Sequence, residues 1–272
     1  MTTFNLIGAG RVGQTLGHLF STAGGVEVQA VVARSPDSAQ RAVDFIGAGQ
    51  AGSALDGLPA ADLWLLALPD GQIAPVAQAL ASLTVAQRPA LAFHCSGALG
   101  ADQLLPLRAL GWQVASAHPL LSFAQPKLAL AQFAGTPCAL EGDAAALQVL
   151  APLFTRMGGQ CFTLAAQDKL LYHAAAVFAT NFLPVLQDVA EQLWQRSGMP
   201  PALMKQLRPA LLHNAVNNIV ALGPQAALTG PAARGDLALV ATQHQALAQW
   251  DAPTAAAYHA LSQLAGKLAQ RK

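Results

Sequence analysis

The segment Gly8-Ala9-Gly10-Arg11-Val12-Gly13 has the spacing G-x-G-x-x-G, after a short apolar run and before an amphipathic one. This is the strand–turn–helix context in which the pattern binds a dinucleotide. The first glycine permits the tight turn, the second lets the backbone approach a pyrophosphate, and the third lets the helix pack on the strand. The helix N-terminus then offers free N–H groups to the phosphates. The residues expected to bind the nucleotide are Gly8, Gly10, Arg11, Val12 and Gly13.

The next apolar run, residues 26–33, ends at Arg34 and Ser35. NAD-binding units place an acidic residue there, about 20 residues beyond the glycines, to hold the ribose. A guanidinium and a hydroxyl suit a ribose 2′-phosphate, whereas an acidic group would repel one. This pair therefore favours NADP over NAD as the cofactor. The alternative is that Arg34 is a solvated cation in a loop.

Two histidines follow later predicted strands: His94 and Ser96 follow one strand, and His118 follows the next. Polar residues at this edge of a parallel sheet can reach the crevice over a nicotinamide. Histidine also exchanges protons near neutral pH. We therefore treat these three residues as catalytic candidates. The alternatives are that Ser96 only caps the next helix and that a lone histidine is structural.

Lys169 and His173 stand four residues apart at the start of a predicted helix, so they share one face. A lysine at a domain junction can polarise a carbonyl and supply a proton as hydride arrives. Asn181 follows in the same helix and is a candidate substrate-binding residue. The alternative is a solvated helix start, although the surroundings are mostly apolar.

The segment 228–236 places two glycines, a proline and two charged residues inside an otherwise helical region. Arg234 is suited to clamping a substrate carboxylate, with Gly230 close to it in the turn. The alternative is that Arg234 and Asp236 only brace the turn.

Residues 1–165 alternate strand-like and helix-like segments, as βα units on a mainly parallel sheet do. Leu68 and Pro69 end one apolar strand at the carboxyl edge, where ligands bind, and are expected to face the nicotinamide. From residue 167 the strand signal stops. We predict a Rossmann-type, doubly wound α/β domain over 1–166 and an all-α substrate and dimerisation domain over 167–272. The predicted strands are 3–8, 26–33, 62–68, 90–95, 112–117, 136–141 and 160–164.

The chain of 272 residues has a formal net charge of +1, which gives no reason to expect nucleic-acid or membrane partners. Only 11% of residues are charged and 53% are hydrophobic, so we expect a homodimer through the helical domain. Three cysteines without metal-ligand spacing fit a reducing compartment and predict no metal site. No signal peptide fits before the first strand, and the apolar run 174–186 is too short and polar for a membrane span. We therefore expect a soluble, cytoplasmic protein.

These motifs resemble the Rossmann-like/DUF2520 family of the 6-phosphogluconate dehydrogenase superfamily, nearly from end to end. The resemblance rests on the glycine loop, H-x-S-G of 94–97, H-P-L of 118–120, K-x-x-Y-H of 169–173 and T-G-P-x-x-R-G-D of 229–236. In the related β-hydroxyacid dehydrogenases and ketopantoate reductases, a K-x-x-x-N motif supplies a catalytic lysine. Lys169 matches that lysine, while His173 replaces the asparagine.

Other relatives share single segments. His118-Pro119 is similar to an H-P segment of prephenate dehydrogenases, and Leu68-Pro69 lies where pyrroline-5-carboxylate reductases contact the cofactor. The resemblance implies the fold and a reductase chemistry, but no substrate.

The expected function is an NADP-dependent oxidoreductase that transfers a hydride between the nicotinamide and a small carbonyl or imine carrying a carboxylate. Lys169 is expected to be the proton donor or electrostatic stabiliser, with His118 and His173 as orienting groups or alternates. Two alternatives stay open: an NADP-binding sensor or scaffold without turnover, and an imine reductase of the pyrroline-5-carboxylate type.

Overall fold

The computed structural model describes residues 1–83 and 88–271. Eight strands form one sheet, and all neighbouring pairs are parallel except the sixth and seventh. The strands are β1 (Thr2–Ile7), β2 (Val26–Val32), β3 (Gln50–Gly52), β4 (Leu63–Leu66), β5 (Leu91–His94), β6 (Gln113–Pro119), β7 (Pro137–Gly142) and β8 (Gln160–Thr163). Their spatial order is β3-β2-β1-β4-β5-β6-β7-β8. The order reverses between β1 and β4, where doubly wound folds bind ligands at the carboxyl edge.

Helices cover both faces of this sheet, and the strands alternate their side chains between two apolar cores. In β4, Leu63 and Leu65 pack into one core, whereas Trp64 and Leu66 pack into the other. A strand buried on both faces reads as a continuous apolar run, which is why the sequence predicts it clearly. The helices beside the sheet are α1 (Arg11–Thr22), α2 (Pro36–Ile46), α3 (Asp70–Ala81), α4 (Leu105–Arg108), α5 (Pro126–Gln132) and α6 (Ala144–Arg156).

The Rossmann-type fold class is confirmed, and all seven predicted strands are present. The prediction missed β3 and α5. The strand β3 has three residues, none of them large and apolar, and it pairs with β2 through backbone atoms alone. The helix α5 has seven residues and begins at a proline, so it shows too little periodicity to be recognised.

The chain divides into two compact units, residues 1–180 and 181–272. The helix α7 (Lys169–Ala176) therefore belongs to the first unit, although the sequence analysis assigned it to the helical domain. The difference arises because the Lys169 side chain hydrogen-bonds to Ser96 and Ser116, which both belong to the first unit.

The second unit is all helical: α8 (Phe182–Arg196), α9 (Pro201–Ala227), α10 (Pro231–Arg234), α11 (Leu237–Ala248) and α12 (Ala252–Ala269). Gly223 interrupts α9 with a left-handed φ of 78°. Asp236 caps α11 by accepting a hydrogen bond from the Leu239 amide. Of the residues described in this unit, Val240 and Ala255 are the buried ones, so the unit has almost no core of its own.

One helical stretch, Ala166–Arg196, is long and apolar enough to cross a membrane by length and composition alone. This stretch is longer than the apolar run 174–186 of the sequence analysis because the π-helical turn Val177–Asn181 joins α7 to α8. One such helix is weak evidence for a membrane protein, and the buried, hydrogen-bonded Lys169 lies within this stretch.

Candidate functional site

The glycine loop between β1 and α1 has the geometry that its sequence predicts. Gly8 has a φ of 111°, and a β-carbon there would lie 2.2 Å from the Ala67 carbonyl oxygen. Its amide also donates to the Val32 carbonyl oxygen over 2.8 Å, which ties the loop to β2. Only glycine fits this turn, because a side chain would meet both a left-handed backbone and a neighbouring strand.

The other two glycines have different surroundings. A β-carbon on Gly13 would lie 2.1 Å from the Gly8 carbonyl oxygen, so this glycine allows α1 to pack against the loop. A β-carbon on Gly10 would meet no atom within 4 Å, and Gly10 is exposed. No side chain caps α1, so its first amides are open to a ligand. Gly10 and the start of α1 thus form an open cradle that fits a pyrophosphate.

Arg34 and Ser35 follow β2, beside this loop. Arg34 is exposed, while Ser35 is the N-cap of α2 and accepts a hydrogen bond from the Ser38 amide. Arg41 reaches back to donate to the Ser38 hydroxyl over 3.0 Å. A second guanidinium therefore lies at the start of α2. Sequence reasoning missed it because Arg41 belongs to the helix itself and not to the segment that directly follows β2.

Leu68 and Pro69 lie between β4 and α3. A Leu68 methyl carbon is 3.2 Å from the position of a Gly8 β-carbon, and Pro69 is exposed. The structure therefore brings this predicted cofactor segment next to the glycine loop.

His94, at the end of β5, is fully buried. Its Nε2 hydrogen-bonds to the Gly100 carbonyl oxygen over 2.8 Å, and its Nδ1 accepts from the Ser96 amide over 3.1 Å. Both ring nitrogens are thus committed to backbone atoms of the loop that follows the strand. Burial holds the pKa of His94 at about 4, so the ring is neutral at physiological pH.

Ser96 has two connections in the same loop. Its hydroxyl accepts from the Ala98 and Leu99 amides over 3.2 and 2.9 Å, which is the capping role considered in the sequence analysis. Its carbonyl oxygen accepts from the Ser116 hydroxyl over 3.1 Å. Ser96 therefore holds the loop in shape and joins it to β6.

Lys169 is 1% exposed, and its Nζ donates to the Ser96 carbonyl oxygen over 3.1 Å and to the Ser116 hydroxyl over 2.8 Å. Burial lowers the pKa of Lys169, while the negative charge of Glu141 opposes that shift. The Glu141 carboxylate itself accepts from the Ala101 amide over 2.7 Å. Lys169 thus places a positive charge directly behind the loop rather than in solvent.

His118, near the end of β6, meets two residues of α7. The Tyr172 hydroxyl lies 3.0 Å from His118 Nδ1, and the His118 and His173 rings stand nearly perpendicular with centroids 5.8 Å apart. A β-carbon on Gly97 would lie 2.5 Å from His173 Nδ1 and 2.8 Å from His118 Nε2. Burial lowers the pKa of His118 to about 4, and the nearby His173 and Lys169 add to that effect.

The structure therefore brings Ser96, His118, Lys169 and His173 together around one loop, with His94 buried behind it. The predicted substrate residues lie in the second unit. Asn181 is its first residue, Gly230 precedes α10 with a φ of 103°, and Arg234 ends α10.

Four further residues of the cluster escaped sequence reasoning: Gly97, Ser116, Tyr172 and Glu141. Gly97 and Tyr172 lie inside motifs that the sequence singled out, but the contacts of these residues join parts of the chain that are far apart in sequence. Tyr172 and His118, for example, are 54 residues apart. Within the residues that the structure describes, no group of three or more His, Cys, Asp or Glu is placed to hold a metal ion.

Two family models match the chain. The Rossmann-like domain matches residues 2–119, and the domain of unknown function DUF2520 matches residues 136–265. The family resemblance drawn from the motifs is thereby confirmed. No curated protein matches the chain.

Solved structures with the same fold cover almost the whole chain. Protein TM1727 from Thermotoga maritima is 25% identical, with a TM-score of 0.74 and 98% of each chain covered. A Bacteroides fragilis protein, provisionally assigned as an NADP oxidoreductase, is 21% identical, with a TM-score of 0.79 and 98% of each chain covered. Pyrroline carboxylate reductase from Plasmodium falciparum, solved with NADP bound, is 12% identical, with a TM-score of 0.61 and coverage of 97% of this chain and 98% of that one.

Proposed function

We propose that this chain, which belongs to the family that joins a Rossmann-like domain to a DUF2520 domain, is an NADP-dependent oxidoreductase. It transfers a hydride between the nicotinamide and a small carbonyl or imine substrate. The observation that carries the proposal is the open cradle at Gly10, where the backbone is exposed and the first amides of α1 have no side-chain cap. Two proteins with the same fold support it: one is provisionally assigned as an NADP oxidoreductase, and the other is a pyrroline carboxylate reductase solved with NADP bound.

The preference for NADP rests on charge at the end of β2. Arg34 and Arg41 are both exposed guanidinium groups, and Ser35 and Ser38 add hydroxyls at the start of α2. A dianionic 2′-phosphate would gain charge-assisted hydrogen bonds from such a set. NADH has a hydroxyl in place of that phosphate and would gain much less.

The bound cofactor supplies the hydride, and the protein supplies position and hydrogen bonds. Lys169 holds the loop that carries Ser96 and places a positive charge behind it, which stabilises negative charge developing on a substrate atom. His118 and His173 border Gly97 and are placed to meet the reacting group. Arg234 is the candidate residue for binding a substrate carboxylate.

A second candidate is a nucleotide-binding sensor or scaffold without turnover. The burial of Lys169 favours it, because a lysine at 1% exposure contacts protein atoms rather than a ligand. An imine reductase of the pyrroline-5-carboxylate type is a narrower form of the first proposal and differs from it only in the substrate. We further propose a cytoplasmic homodimer formed through the helical unit.

Fluorescence titration with NADPH and NADH tests the cofactor assignment on wild type and on Arg34→Ala. We expect NADPH to bind at least tenfold more tightly than NADH, and Arg34→Ala to remove most of that difference because it removes a phosphate partner. Arg196→Ala is the matched control, since Arg196 is an exposed arginine at the end of α8. If neither nucleotide binds wild type, the oxidoreductase proposal fails.

A further inference from the structure

Tyr172 contacts one histidine of the candidate site, His118, and directly precedes another, His173, in the chain. Its hydroxyl lies 3.0 Å from His118 Nδ1, and its ring meets the His118 ring edge-on with centroids 5.5 Å apart. Its chain neighbour His173 reaches the other side of His118, where the two imidazole rings are nearly perpendicular. Two successive residues of α7 therefore flank the His118 ring, and the first of them is hydrogen-bonded to its Nδ1.

His173 Nδ1 is buried and has no hydrogen-bond partner among the residues that the structure describes. An imidazole nitrogen carries either a proton or a lone pair. A buried N–H group without an acceptor is rarer in proteins than an acceptor left without a donor. We therefore take His173 Nδ1 as a lone pair, with the ring N–H on Nε2.

This assignment fixes the proton of His118. The atoms His118 Nε2 and His173 Nδ1 lie 2.8 and 2.5 Å from one point, the place of a β-carbon on Gly97, so they face the same small volume. Two lone pairs converging there would repel, so we place the proton of His118 on Nε2. The two nitrogens form no hydrogen bond with each other, which leaves the Nε2–H of His118 free to donate to a substrate atom. Burial, His173 and Lys169 all lower the pKa of His118, so the ring is neutral and carries one proton. Its Nδ1 is then an acceptor, and the Tyr172 hydroxyl donates to it.

We propose that Tyr172 is a positioning residue that fixes His118 as a neutral hydrogen-bond donor through Nε2. This inference rests on the proposed oxidoreductase function and adds to it the hydrogen-bonding role of His118. A substrate atom beside His118 must accept a hydrogen bond, as a carbonyl oxygen or a neutral imine nitrogen does. A neutral imidazole that donates in this way polarises the acceptor without giving up its proton. The N–H donor of the resting site is therefore matched to the carbonyl or imine form of the substrate.

The tautomer of His118 can be measured by long-range 1H–15N correlation spectra of the imidazole rings in the full chain at pH 7.5. His118→Gln identifies the His118 signals. His94 is an internal reference, because its partners, a carbonyl oxygen and an amide, require the proton on Nε2. We expect wild-type His118 to show the same Nε2–H pattern as His94. A proton on His118 Nδ1 would overturn the proposal.

Tyr172→Phe tests the positioning role, because it removes the hydroxyl and leaves the ring in place. We expect signals of the Nδ1–H tautomer of His118 to appear. The pKa of His118 should also rise by about one unit, because a hydrogen bond that favours the neutral ring is lost. Tyr258→Phe is the matched control: Tyr258 is the other tyrosine of the chain, and its hydroxyl donates to Gln243. His118 signals unchanged in Tyr172→Phe would overturn the role of Tyr172.

Gly97→Ala tests the geometry independently, because a methyl group would intrude where the two nitrogens converge. We expect the His118 and His173 signals to shift together, whereas Gly71→Ala, with open space around its β-carbon, leaves them unchanged. Unshifted signals in Gly97→Ala would contradict the convergence. None of these spectra involves a nucleotide, so failure of the cofactor assignment shows only in the NADPH titration and is distinguishable from failure here.

Discussion

At the scale of single residues, the candidate site separates the groups that hold a loop from the groups that border it. His94, Ser96 and Lys169 all bond to backbone atoms of the loop after β5. His118 and His173 instead meet at Gly97, which has no side chain. All five side chains can exchange protons or hydrogen bonds with a substrate. Those of His94, Ser96 and Lys169, however, already form hydrogen bonds within the protein.

Lys169→Met tests what the buried ammonium does. Burial lowers the pKa of native Lys169 below its ordinary value of 10.5. Between those two pKa values Lys169 binds more protons in the unfolded chain, so this residue contributes a rise in stability with pH. Burial raises the pKa of Cys95 and Cys138, and these thiols contribute a fall over the same range. Lys169→Met keeps most of the volume but has no titrating group, so its stability should change less favourably from pH 7.5 to pH 10 than that of wild type. Urea unfolding at pH 7.5 and at pH 10 measures the difference.

Lys205→Met is the control for that measurement, since Lys205 lies on α9 in the second unit. It should leave the pH dependence of wild type unchanged. The same change of stability with pH in Lys169→Met as in wild type would show that native Lys169 is not desolvated. In a turnover assay with an identified substrate, Lys169→Met should slow the reaction by about 10²–10⁴-fold, the range for a lost acid–base or electrostatic group.

At the scale of elements, the sequence predicts best what depends on neighbours in the chain. The glycine loop is predictable because its three glycines, the strand before them and the helix after them are contiguous. The buried strands are equally clear, since apolar runs mark them. The contact of Lys169 with Ser96 spans 73 residues and that of Tyr172 with His118 spans 54. Such contacts depend on strand order, which no local spacing encodes.

The glycine loop offers a paired prediction. Gly10→Ala should leave the free energy of unfolding within about 1 kcal/mol of wild type, because its β-carbon meets no atom. It should nevertheless weaken NADPH binding at least tenfold, since the methyl group projects into the cradle. Gly13→Ala should instead destabilise the fold by roughly 1–3 kcal/mol, as its β-carbon would strike the Gly8 carbonyl oxygen.

Urea unfolding and NADPH titration of both variants measure these two effects separately. Full NADPH affinity in Gly10→Ala would mean that the nucleotide does not approach this backbone. The proposed cofactor site would then have to be abandoned even if the fold is intact.

At the scale of the whole molecule, apolar surface is concentrated in the second unit. Val220 on α9 is 79% exposed and Leu222 is 59% exposed. Among the described residues of this unit, almost no side chain is buried. Exposed apolar surface of this extent marks an interaction site in a folded protein. We therefore expect a second copy of the chain to cover it.

Light scattering at micromolar concentration tests this expectation. Wild type should show twice the chain mass of 28.0 kDa. Val220→Lys should shift the protein toward the single-chain mass, because it places a charge on the exposed face. Val149→Lys, at an exposed valine of α6 in the first unit, is the matched control and should keep the mass of two chains. A single-chain mass for wild type would refute the dimer.

The two outermost strands of the sheet, β3 and β8, have three and four residues. An exposed sheet edge can recruit strands of other molecules and lead to aggregation, and very short edge strands are one way in which proteins prevent it. Here neither edge is long enough to template a further strand. Growth of the sheet from one molecule into the next is therefore blocked at both ends, and self-association is left to the helices.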